Sequence, residues 1–165
     1  GDSAGAHILS LYIDICTNPD YAVNYDFRVP EDLKIHAVAL NCGQYHMGEE
    51  ELDELTGKLM KEYLPEKGSK KELWMLCADD YVTEKFPPAF IMTAEDDFLR
   101  NQTPCMYEKL KIMNVPCEFY DYRSGKNEKL GHVFHLNIRS EDARKCNDEE
   151  CRFFRKIMVQ ERKQG

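Results

Sequence analysis

Basic charge is scarce in this sequence: 22 lysines and arginines stand against 30 aspartates and glutamates, a formal net charge of −8. A phosphate backbone is held by concentrated Lys and Arg, so no nucleic-acid partner is expected. Arg152, Arg155, Lys156, Arg162 and Lys163 do cluster near the end, but acids interleave with them as on a solvated helix face. Long apolar runs are missing too. None approaches the ~20 residues that would span a bilayer, and no membrane partner is expected. The seven cysteines contain no Cys-x-x-Cys pair and are odd in number, which offers neither a zinc site nor a disulfide framework. Most are expected to be buried thiols of a reducing compartment, which points to the cytoplasm. Residue 1 is glycine and not methionine, so the chain is expected to be trimmed or to begin inside a larger protein. The lack of a signal peptide therefore says little about targeting. Internal repeats and low-complexity tracts are absent as well.

What is present is an ordinary globular composition, 42% hydrophobic and 32% charged over 165 residues. That suffices for a single domain over 1–165 burying roughly two-thirds of its unfolded surface. Ile8, Leu11, Tyr12 and Ile15 recur at helical spacing after residue 4, predicting a first helix that buries this face and stops at Asn18-Pro19. Residues 18–32 read as a loop. Leu33 to Leu40 alternates and then turns wholly apolar, as a strand entering a covered parallel sheet would. A helix is expected over 49–64, a strand over 89–93 after Pro87-Pro88, a helix over 102–113, a strand over 115–122 and a last helix over 141–160. Residues 72–85 carry no clear pattern. Helix and strand in alternation predict an α/β class with a parallel sheet.

Gly1-Asp2-Ser3-Ala4-Gly5 has the Gly-x-Ser-x-Gly form of a nucleophile elbow, in which flanking glycines let a strand and helix approach while serine holds a strained turn. On these residues alone it also fits an ordinary loop serine. A serine hydroxyl needs a base to take its proton and a carboxylate to orient that base. The acids Glu95-Asp96-Asp97 follow the second strand and His132 follows the third, giving the order serine, acid, histidine. Asp96 or Glu95 competes with Asp97 as the acid, since Asp97 would also serve to cap the helix that follows. His135 competes with His132, which the adjacent Gly131 favours. His7, His36 and His46 have no carboxylate pattern around them and read as structural. Asp79-Asp80 reads as a turn or cap, and Trp74, Met47 and Met60 as core.

The run from Phe86-Pro87-Pro88 through Thr93-Ala94-Glu95-Asp96-Asp97-Phe98-Leu99-Arg100 resembles the acid-bearing segment of the hormone-sensitive-lipase-like esterases, whose pattern is Pro-Pro, a strand, Thr-Ala, then Asp-x-Leu-Arg. The elbow and Gly131-His132 with Phe134 resemble that family's elbow and histidine loop, and the similarity runs over nearly the whole chain. The resemblance implies the C-terminal portion of an α/β-hydrolase fold: about three parallel strands flanked by helices, with the N-terminal strands missing. It implies hydrolysis of small acyl esters by a serine triad of Ser3, His132 and Asp97, with no metal and no cofactor; peptide or amide substrates are the alternative within this class. The family's His-Gly-Gly oxyanion motif lies upstream of the elbow and is not in this sequence, so the Ala4 amide is the oxyanion donor that remains. In the family the elbow strand lies beside residues 33–40. Without that strand, an open edge is expected there, with pairing of two copies into a homodimer, or of one copy with an N-terminal chain. Ser3 is then expected to be poorly held, and the chain to be an inactive fragment in the second reading.

Overall fold

In the computed structural model the described residues are 1–48, 52, 54–125 and 128–163. Among them, β1 (Val38–Asn41), β2 (Ala89–Ala94) and β3 (Cys117–Tyr122) form a parallel sheet in the order β1-β2-β3. Leu40 lies opposite Ile91 and Ile91 opposite Phe119. Every residue of β2 is buried, as expected of a central parallel strand covered on both faces. Side chains alternate along a strand, and here the alternation sorts the core. Val38, Leu40, Ala89 and Ile91 pack on one side with Ala6 and Ile13 of α1 (Ala4–Thr17) and Met106 and Leu110 of α6 (Gln102–Ile112). Ala39, Phe90 and Met92 pack on the other with Phe153 and Ile157 of α7 (Glu141–Glu161). The result is three layers with all strand C-termini at one end, where α/β folds place their ligands.

Between the sheet elements lie α2 (Pro19–Ala22), α3 (Glu54–Tyr63), α4 (Lys70–Met75) and α5 (Ala78–Tyr81), and a 3₁₀ turn at Phe134–Leu136 separates β3 from α7. The first strand is shorter than the 33–40 expected: residues 33–37 approach the sheet without joining its ladder. Part of the 49–64 helix falls outside the described residues, and its described part is α3. The stretch at 18–32 is not all loop, because Asn18 accepts the amides of Asp20 and Tyr21 and so caps α2.

The buried face of α1 also differs from the expectation. Ala6, His7, Ser10, Ile13, Asp14 and Ile15 are buried while Ile8 is 67% exposed, so of the expected stripe only Ile15 is fully inside. The helix is wedged between the sheet and the segment at 75–82 that carries α5, to which His7 Nε2 hydrogen-bonds at the Leu76 carbonyl (2.7 Å). A helix covered from two sides has no single apolar stripe to display. Three cysteines, Cys42, Cys77 and Cys146, are buried, fewer than expected. No described helix is long and apolar enough to cross a membrane.

Candidate active site

Ser3 sits where the chain turns from the sheet into α1. Asn41 N donates to Gly1 O and Ser3 N to Asn41 O, both at 2.9 Å, so residues 1–3 continue the sheet along the end of β1. Ser3 is therefore held in place, contrary to the expectation of a loose terminus. Its φ of 52° and ψ of −123° lie where non-glycine residues are strained. A side chain at Gly1 would meet Gly5 O at 2.7 Å, so only glycine fits, whereas a Cβ at Gly5 would meet nothing within 4 Å. The close approach of strand and helix thus rests on the first glycine of the pair. Ala4 N–H opens α1 and has no intrahelical acceptor four residues back.

The three neighbouring acids part company after β2. Glu95 turns to the loop that follows β3, accepting Ser124 N at 2.7 Å. Asp96 is largely exposed, 3.9 Å from Lys129, and its backbone bridges to Gly131. Asp97 alone turns inward: its buried carboxylate accepts Thr93 Oγ1 and Leu99 N, each at 2.9 Å. It does not cap α6, whose first turn follows Asn101. Arg100, the last residue of the Asp-x-Leu-Arg run, donates to both oxygens of Asp121 on β3 at 3.2 and 2.6 Å. That fork ties the acid loop to the sheet and holds the Asp121 carboxyl below the usual carboxylate range.

His132 arrives on the loop after β3 and joins the other two. Its Nδ1 lies 2.7 Å from Asp97 Oδ1 and its Nε2 lies 2.9 Å from Ser3 Oγ. Because a carboxylate only accepts, Nδ1 carries the proton and Nε2 presents a lone pair to the serine hydroxyl. The next residue, Val133, holds φ 52° and ψ 32°, a left-handed conformation costly for a β-branched side chain. His135, the competing histidine, is buried beneath this loop, and burial lowers its pKa.

Three neighbours of this line were not singled out in the sequence. Thr93 completes the coordination of Asp97. Cys42, at φ 49° after β1, brings its thiol within 4.8 Å of ligand atoms of Asp97 and His132, and burial raises its pKa. The Phe98 ring lies 4.4 Å from the imidazole, centroid to centroid. Phe98 stands inside Asp-Phe-Leu-Arg, and its place beside the acid is the one signal that pointed to it.

Of the other histidines, His46 does face a carboxylate, with Nδ1 3.0 Å from Asp79 Oδ1, so its reading as a residue without one is corrected. His46, Cys77 and Asp80 bring ligand-type atoms within 4.8 Å of one another, the second such group besides Cys42, Asp97 and His132 among the described residues. A cleft of about 380 Å³ begins at Ala4 and runs between α1 and α3 past Ile8, Leu11, Met47, Leu59 and Met60. Trp74 stands apart from it, on the cleft that His46 and Cys77 line.

The sequence model of a family described as alpha/beta hydrolase fold matches residues 1–136. None of the curated proteins compared with the chain matches it. Among solved structures it is similar to esterase B from Lactobacillus rhamnosis, with a TM-score of 0.78 and 20% identity over 98% of this chain and 52% of that one. It is similar to an acetyl ester-xyloside bifunctional hydrolase from Caldicellulosiruptor lactoaceticus, with a TM-score of 0.69 and 19% identity over 95% of this chain and 55% of that one. A fungal esterase from Rhizomucor miehei gives a TM-score of 0.68 and 20% identity over 97% and 51%. The chain spans about half the length of the solved structures it resembles.

Proposed function

The chain belongs to the α/β-hydrolase fold family, on its hormone-sensitive-lipase-like branch, and from that premise we propose that it hydrolyses small carboxylic esters through Ser3. The observation that carries this reading is the unbroken line from Ser3 Oγ to His132 Nε2 at 2.9 Å and from His132 Nδ1 to Asp97 Oδ1 at 2.7 Å. The esterases among the similar structures support it at the level of fold.

In this reading His132 Nε2 takes the hydroxyl proton as Ser3 Oγ attacks the ester carbonyl. Asp97 fixes the ring with its proton on Nδ1 and faces the imidazolium that forms. The tetrahedral oxygen meets the Ala4 N–H, a donor of the kind whose loss costs roughly 10²- to 10³-fold in rate. The imidazolium then gives its proton to the departing alcohol, leaving the acyl group on Ser3. Water attacks that acyl-enzyme with His132 again as base, and the acid and the free serine are released.

The test is hydrolysis of a short-chain p-nitrophenyl ester by the chain and by Ser3→Ala. Turnover is expected to vanish in the variant, and equal rates would defeat the reading. Asp97→Asn, which keeps the shape but loses the charge, is expected to lower kcat by about 10⁴-fold.

A further inference from the structure

Phe98 is an anomaly of burial. Its neighbours Asp97 and Leu99 are both buried, yet this large apolar ring is 65% exposed. What it touches is His132: the ring centroids are 4.4 Å apart and the planes are inclined by 49°. Its backbone is pinned on both sides. Leu99 N donates to Asp97 Oδ1 at 2.9 Å, closing a turn around Phe98, and Arg100 is forked onto Asp121 just beyond. An exposed ring held this firmly against an imidazole is placed there by its loop and not by burial.

An aromatic face within about 6 Å attracts a cation and gives a neutral imidazole no comparable charge term. In ester hydrolysis through Ser3 the His132 ring becomes a cation twice, once when Ser3 loses its proton and once when water does. We propose that Phe98 is a positioning residue that braces the His132 ring and favours its cationic form over its neutral one. The catalytic consequence rests on the esterase reading above, while the contact and its effect on His132 do not. Among the described residues, the other ionisable or polar groups facing His132 are the Asp97 carboxylate, the Ser3 hydroxyl, the Cys42 thiol and, across the same loop, His135. Substituting Phe98 removes none of these four groups.

The experiment compares the full chain with Phe98→Leu, which keeps an apolar side chain without a π face, and Phe98→Tyr, which keeps the ring with its hydroxyl toward solvent. Two readouts are taken: kcat and KM on a p-nitrophenyl ester, and the titration of the His132 ring protons by NMR. Phe98→Leu is expected to lower kcat about two- to fivefold with KM within twofold, and to weaken the hold of His132 on its proton by a similar factor. Phe98→Tyr is expected to match wild type in both. An unmoved His132 titration in Phe98→Leu would overturn the proposal, whatever happens to kcat. If no version of the chain hydrolyses the ester, the esterase reading fails by itself and the NMR titration still decides the role of Phe98.

Discussion

Asp14 is fully buried on the inner side of α1, and neither carboxylate oxygen meets a donor among the described residues. Burial, with Asp79 nearby adding like charge, pushes its pKa up to about 9. The group is therefore protonated in the folded chain at neutral pH but ionised in the unfolded one. With the folded pKa raised, the folded state binds the extra proton between pH ~4 and ~9, and stability falls as pH rises through that window by at most about 1.4 kcal/mol per unit. Asp14→Asn is expected to flatten this slope, so that urea melts of the two proteins separate more at pH 8 than at pH 5; parallel pH dependences would contradict it. The sequence hides Asp14 because a polar residue on a helix flanked by Ile13 and Ile15 reads as solvent-facing when only one apolar stripe is allowed for. The same limit applies to Glu95-Asp96-Asp97. Their order along the chain marks the acidic loop and the resemblance to Asp-x-Leu-Arg singles out Asp97, but the Thr93 hydroxyl and the Leu99 amide that turn it inward are not legible there.

At the scale of elements, the elbow makes a sharper statement than its pattern. Gly1 packs against the backbone of α1, where the carbonyl of Gly5 cannot move aside, and Gly5 faces open space. Gly1→Ala is expected to displace the strand from the helix, misplace Ser3 and lower both activity and melting temperature. Gly5→Ala is expected to retain activity and, by improving helix propensity, to gain up to about 1 kcal/mol in thermal or urea unfolding. If both variants fail alike, the two glycines are equivalent as the pattern suggests. The three strands were legible because each is a short apolar or alternating run between breakers, although β1 proved shorter than its pattern. The pair α4 and α5 was not. Its hydrophobic period is too short to register, yet Ser69 and Glu72 cap each other's backbone across the first turn of α4, and Ser-x-x-Glu was there to be read.

At the scale of the whole molecule, β1 is unusual for an outer strand. All four of its residues are buried, which suits a strand with neighbours on both sides, but its only ladder partner among the named strands is β2. Gly1 to Ser3 occupy part of the free side: Gly1 N reaches Ala39 O at 2.9 Å, and the Asn41 amide and carbonyl are taken as well. The N-terminal approach of β1, residues 33–37, runs up to the sheet without joining a ladder, and Leu33 there is 42% exposed. An outer strand with apolar faces is a surface on which another strand can add. We propose that a second copy of the chain pairs there. Light scattering at micromolar concentration should then give about twice the 19.3 kDa chain mass. Lys34→Pro removes an amide from this approach at an exposed position and is expected to shift the mass toward the monomer without lowering the melting temperature of the sheet. A wild-type chain that scatters as a monomer would mean that Gly1 to Ser3 already satisfy the edge, and the fit of the elbow against β1 would then be what closes the sheet.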